Sequence, residues 1–189
     1  MNDFFLASNK TVKNKLGITV SQITVKDLDI WSQHAEPVRK ELKKNYSDEN
    51  LESVIKLHKL PVLILCTMVI DRDAEALVDL ISKDADQFIA LFKDVIEVNK
   101  AYFDQEDGVK NKGASNVEST WFDSFQLLIS KGHHHADILN YSFGAFVGYL
   151  KAAQRNEKNN LLSNANIIRM AHHADKKEFD KFTDEMKRN

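Results

Sequence analysis

The sequence predicts a mainly α-helical protein of two small helical domains, with a short strand or hairpin near the N-terminus. Three observations predict it. Apolar residues recur at i, i+3, i+4 and i+7 along most of the chain, the periodicity of helices with one buried face. Alternation of β-branched and polar residues is confined to Ile18-Thr-Val-Ser-Gln-Ile-Thr-Val25. A single long polar tract containing glycine, residues 103–116, interrupts the helical pattern, which restarts cleanly after it. The expected division is therefore residues 1–103, a linker at 104–116, and residues 117–189.

The alternating segment at 18–25 reads as a half-buried strand that needs a partner. Residues 4–7 could supply one, or a second copy could, which makes a homo-oligomer expected and places Val20 and Ile23 at a partner surface. Thr24 followed by Asp27 resembles a capping box opening a helix through Leu28, Ile30 and Trp31, with Pro37 expected to kink or divide it. Ser47 precedes a helix that begins near Asp48 and carries Leu51, Val54, Ile55 and His58, the last read as a surface histidine. Pro61 suits a first helical turn, so residues 61–70 read as a buried helix, with a buried strand as the alternative. A short helix follows at 74–81, and Ser82 to Asp84 offer capping oxygens to a long one carrying Phe88, Phe92, Val95, Ile96, Tyr102 and Phe103.

Beyond the linker, Val117, Trp121, Phe125, Leu128 and Ile129 define a stripe that ends at Lys131-Gly132. Residues 135–154 are apolar over much of the circumference and suggest one central helix, residues 155–160 a polar turn. The remaining residues make two helices, 162–174 and 175–188, the second charged except for a narrow stripe of Phe179, Phe182 and Met186.

Composition limits function. A net charge of −2 and a pI near 6.4 lack the basic footprint of a nucleic-acid binder. The most apolar stretches fall well short of the roughly 20 residues a membrane span needs, and no secretory signal opens the chain, so a cytoplasmic location with no membrane contact is expected. Cys66 lies in an apolar run and reads as an inert core residue. Five of seven histidines cluster, in His133-His134-His135 and His172-His173. Imidazole suits zinc or iron, and a metal-binding helical protein is the alternative these clusters raise. Yet adjacent helical residues point about 100° apart, and the i, i+3 or i, i+4 spacing of helical metal sites is missing. A structural or interaction role fits better. Trp31 and Trp121 sit on apolar stripes and read as core; Arg169 could enter an ion pair or meet a partner. No nucleophile elbow and no phosphate-cradling glycine turn is present, so no catalytic residue, cofactor or metal is assigned and binding is favoured over chemistry.

The pattern Ile18-Thr-Val-Ser-Gln-Ile-Thr-Val-Lys-Asp-Leu28, with Val95-Ile-Glu-Val-Asn-Lys-Ala-Tyr-Phe103, resembles the first domain of tail assembly chaperones of long-tailed bacteriophages. Trp121, Leu128, Gly132, residues 138–150, Arg169-Met-Ala171 and Lys177-Glu-Phe-Asp-Lys-Phe182 are similar to the extension carried by the longer product of such genes. The resemblance covers most of residues 16–185 and implies a non-enzymatic chaperone in the host cytoplasm. Its first domain would coat the tape measure protein and its second would recruit tail tube protein, through Phe146 and Tyr149 on the apolar helix, Arg169, and the Phe179, Phe182 and Met186 stripe. An unrelated helical adaptor is the other reading.

Overall fold

A computed structural model describes residues 11–105, 120–173 and 175–187, excepting the side chains of residues 171 and 185–187. The expected mainly α fold is what the chain adopts. Two short strands, β1 (Val12–Lys13) and β2 (Thr19–Val20), precede a 3-10 turn at Val25–Asp27. The helices before the central tract are α1 (Leu28–Leu42), α2 (Asp48–Leu57), α3 (Lys59–Val69), α4 (Ala74–Lys83), α5 (Ala85–Val98) and α6 (Lys100–Phe103). After it come α7 (Trp121–Ser130), α8 (His135–Asn140), α9 (Phe143–His173) and α10 (Lys176–Lys187).

Contacts divide the chain into one unit ending at Tyr149 and a second beginning at Leu150. Residues 106–116 of the expected linker lie outside the described residues. In the first unit, α1 packs on α3, α4 on α5, and α2 on α5. The core they enclose is built on Trp31, Phe88, Phe92, Phe103, Leu42, Leu51, Leu65 and Leu91, none more than 1% exposed. Edge-to-face rings join Trp31 to Tyr102 and Phe103 at centroid separations of 6.0 and 6.2 Å. Such pairs add about 0.5–1.5 kcal/mol each beyond the area they bury. The second unit has the distal part of α9 and α10, with Asp175 accepting the Glu178 amide at 2.9 Å at the start of α10.

The local signals hold where nothing distant competes. Ser47 and Asp84 each cap a helix, accepting the amides of Asn50 at 3.4 Å and Gln87 at 3.0 Å. Residues 59–69 are helix rather than strand. Pro37, by contrast, lies inside α1 without dividing it. The carbonyl that loses its donor belongs to Gln33, which is exposed to water, while Trp31, Ala35, Val38 and Leu42 keep one stripe buried on both sides of the proline.

Residues 155–160 continue α9 rather than turning. They contain neither Gly nor Pro, so nothing in the backbone stops a helix already under way.

The segment at 18–25 contributes only two residues of regular strand. Partners for it are found within the chain, whereas residues 4–7 lie outside the described residues. Val20 pairs antiparallel with Val12 and makes a further bridge to Ile70. The tight connection between β1 and β2 has Gly17 at φ +74° and Asn14 Oδ1 accepting the Leu16 and Ile18 amides at 2.9 and 3.0 Å. With both sides of Val20 occupied from within the chain, self-association would have to use another surface.

Further along, the same segment is met from two directions. The Val25 amide donates to the Tyr141 carbonyl at 2.9 Å, the Phe143 amide donates to the Ile23 carbonyl at 2.8 Å, and Thr24 bridges Ser142. These bonds require extended backbone at Tyr141, found at φ −64° and ψ 145°, and so split residues 135–154 into α8 and α9. Ser142 then turns the break into a helix start, its Oγ accepting the Ala145 amide at 3.1 Å.

Candidate partner-binding surface

α7 begins with a complete capping box: Thr120 Oγ1 accepts the Asp123 amide at 3.2 Å and Asp123 Oδ2 accepts the Thr120 amide at 2.7 Å. The Thr120 bonds hold the Asp123 carboxyl below its ordinary range. Both ends are fixed, because Gly132 adopts φ +93° and donates to the Ile129 carbonyl at 2.9 Å. A helix held this firmly displays its aromatic residues in set directions.

Trp121 and Phe125, one turn apart, meet Phe146 of α9. Trp121 stacks on Phe146 at 5.5 Å and 30°, Phe125 lies 5.8 Å from the same ring, and His135 of α8 packs on Phe125 at 5.5 Å. Leu128 of α7 and Ile138 of α8 are fully buried. Phe146 is the anchor, 2% exposed, whereas Trp121 remains 50% exposed. Phe122 is directed away from these contacts and is 85% exposed, with Ile129 at 39% along the same outer side of α7. Burying an aromatic ring of that kind contributes about 1.5–3 kcal/mol, so leaving Phe122 in water forgoes a large apolar gain within the chain.

Three residues along α9 from Phe146, Tyr149 joins a second aromatic group. Its ring lies 5.0 Å from His133 and 5.2 Å from Tyr141, and His133 Nδ1 shares a hydrogen bond of 2.8 Å with the Tyr141 hydroxyl. Desolvation, with Tyr149 and Asp137 nearby, raises the Tyr141 hydroxyl above its ordinary pKa. Tyr149 is 36% exposed. The two groups meet neighbouring turns of one helix, through Phe146 and Tyr149, and each leaves an aromatic ring partly in water, Trp121 in the first and Tyr149 in the second.

The expected partner residues thus separate. Val20 and Ile23 are 0% and 3% exposed and belong to the core, so they are corrected from surface to interior. Burial follows from the pairing above, which turns both inward. Phe146 is likewise interior but supports the surface from below; Tyr149 reaches it. Arg169 is exposed, Phe179 is 40% exposed and Phe182 is half-buried, all in the second unit. The Met186 side chain lies outside the described residues, as does Val117.

The histidines of each run take separate surroundings within their own unit. His133 turns to Tyr141 and Tyr149, His135 turns to Phe125, and His134 is the residue before α8. His172 and His173 are exposed at the end of α9. Among the described residues no three His, Cys, Asp or Glu side chains are grouped to hold a metal. Cys66 is fully buried, and burial pushes its thiol up to about 12.

Sequence reasoning missed two residues here. Trp121 was expected in the core and is half in water; Phe122 stood outside the stripe. The signal was available: three aromatics in five residues exceed what one helical face can bury, and Phe122 is one position off the Trp121, Phe125 and Leu128 row.

Comparison with known proteins returns no match of this chain to any family model, curated protein or solved structure. No helix among the described residues is long and apolar enough to cross a membrane.

Proposed function

We propose that this chain is a non-enzymatic tail assembly chaperone of a long-tailed bacteriophage, acting in the host cytoplasm, that holds the tape measure protein soluble and recruits tail tube subunits. The observation that carries the reading is the aromatic surface on α7 and α9, with Phe122 85% and Trp121 50% exposed on a helix capped at both ends. Exposed aromatics on a rigid support are the means by which a protein grips another protein's apolar side chains reversibly. A tape measure protein is a long helical client of that kind. The sequence resemblance across residues 16–185 supplies the class of client, and the mainly helical fold agrees with it. In this reading the aromatic surface, which the resemblance would give to the tube protein, takes the tape measure protein instead, because it packs with the first unit. The second takes the tube protein with Arg169, Phe179 and Phe182.

Co-expression provides the test. The full chain raises the soluble fraction of the tape measure protein, and the double variant Trp121→Ser, Phe122→Ser loses that effect while keeping its helical circular dichroism. Equal solubility with and without the chain, or full activity in the folded double variant, overturns the reading.

A further inference from the structure

The distal part of α9 carries an arrangement that the aromatic surface does not explain. Over residues 150–173 there are four cations, Lys151, Arg155, Lys158 and Arg169, and one acid, Glu157, a net charge of +3 in a chain whose total is −2. All four cations are exposed, and none enters an ion pair among the described residues. Leu161, Leu162 and Ile168 are 70%, 55% and 60% exposed on the same stretch. At 3.6 residues per turn, these seven side chains fall within a sector of about 140°. The opposite side presents Asn156, Asn159, Ser163 and Asn166, with Ile167 and Met170 half-buried. Exposed aliphatics and unpaired cations therefore share one face. Among the described residues of the second unit, Ala153 is the only buried apolar one, so this unit has little core of its own.

We infer that this face of α9 is a docking surface for an acidic, apolar-faced helix of a partner protein. Charge selects the occupant. A second copy would set +3 against +3 across the aliphatic contacts, which opposes self-pairing. A membrane-surface helix separates its cations from its apolar residues, placing the latter in the acyl layer. Here Leu162 lies within the arc formed by Lys151, Arg155 and Arg169, so burying the leucine in lipid would take the cations with it. A protein helix with leucines at i, i+3, i+4 and i+7 and glutamates beside them meets both features at once. This inference rests on α9 alone and not on the tail-assembly reading.

The test uses the full chain and a synthetic amphipathic helix with leucines at that spacing flanked by glutamates. Titration calorimetry or fluorescence anisotropy gives binding that weakens as salt is raised. The variant Leu161→Ser, Leu162→Ser, Ile168→Ser abolishes it, and Lys158→Glu, Arg169→Glu weakens it roughly tenfold, as two exposed charge contacts reversed would. Both variants change exposed residues, and circular dichroism checks that each remains helical. Equal binding of the peptide with glutamines in place of glutamates overturns the inference. So does absence of peptide binding, whether or not anionic phospholipid vesicles bind, and so does a dimer of the chain that the triple serine variant dissolves.

Discussion

Asn99 fastens the backbone on both sides of Gln22: its Oδ1 accepts the Ile23 amide at 2.7 Å and its Nδ2 donates to the Ser21 carbonyl at 3.1 Å. A further bond from Nδ2 to the Val95 carbonyl at 3.0 Å ties the same side chain to the end of α5. Asn99 is 4% exposed, and its bonds to the Ile23 amide and the Val95 carbonyl are made away from water. Asn99→Ala leaves the Ile23 amide buried without an acceptor and is expected to cost about 2 kcal/mol. Urea denaturation measures it; a midpoint unchanged from the parent refutes the role.

Alkaline pH should destabilise the first unit. Burial raises the Cys66 thiol from 9.0 to about 12, and burial with the nearby Glu36 charge raises Tyr102 from 10.0 to about 12. Each group is neutral when protonated, so the unfolded chain gives up its proton first. The stabilisation is whole below pH 9 and falls away between there and about pH 12. A Cys66→Ala variant should show a shallower fall over the lower part of that range, read from thermal midpoints. A thiol reagent should label Cys66 only as the protein unfolds.

Two phenylalanines one helix apart should behave oppositely. Phe146→Ala removes a ring that Trp121 and Phe125 both rest on and is expected to cost about 3–5 kcal/mol. Phe122→Ser, at an exposed position, should change stability by no more than about 0.5 kcal/mol. Denaturation of the two variants side by side settles it, and a large loss at Phe122 would mean that its ring is covered.

A fragment ending at Gln105 should be less stable than the whole. It lacks Phe143, whose ring packs on Tyr102 at 5.7 Å and whose amide occupies the Ile23 carbonyl. Such a fragment is expected to melt lower and to bind a hydrophobic dye. Melting at the parent temperature would show that the first half is self-sufficient.

What could be read in advance was whatever neighbours in sequence decide. The stripe of Phe88, Phe92 and Val95 fixed α5 without help, and the oxygens of Ser47 and Asp84 marked helix starts because their acceptors act on amides three residues away. What escaped was set across the chain. Residues 135–154 carry a good helical pattern, yet Tyr141 is extended because Val25 needs its carbonyl. Val20 and Ile23 looked like an open edge because alternation does not reveal that Ile70, Val12 and Asn99 are waiting for it. At the surface the cluster around Phe146 was half visible: the residue types were plain in the sequence, but which rings would be left in water was decided by how α7 and α9 meet.

The joining of residues 23–25 to residues 141–143 also sets a schedule for biosynthesis. The Ile23 carbonyl emerges from the ribosome early and finds its donor only after Phe143 has followed, near the end of the first unit. Until then the seam is incomplete, and closing a loop over the span between its two sides adds to the entropic cost of forming it. Translational pausing before Phe143 would prolong a state in which Tyr102 lacks its covering ring.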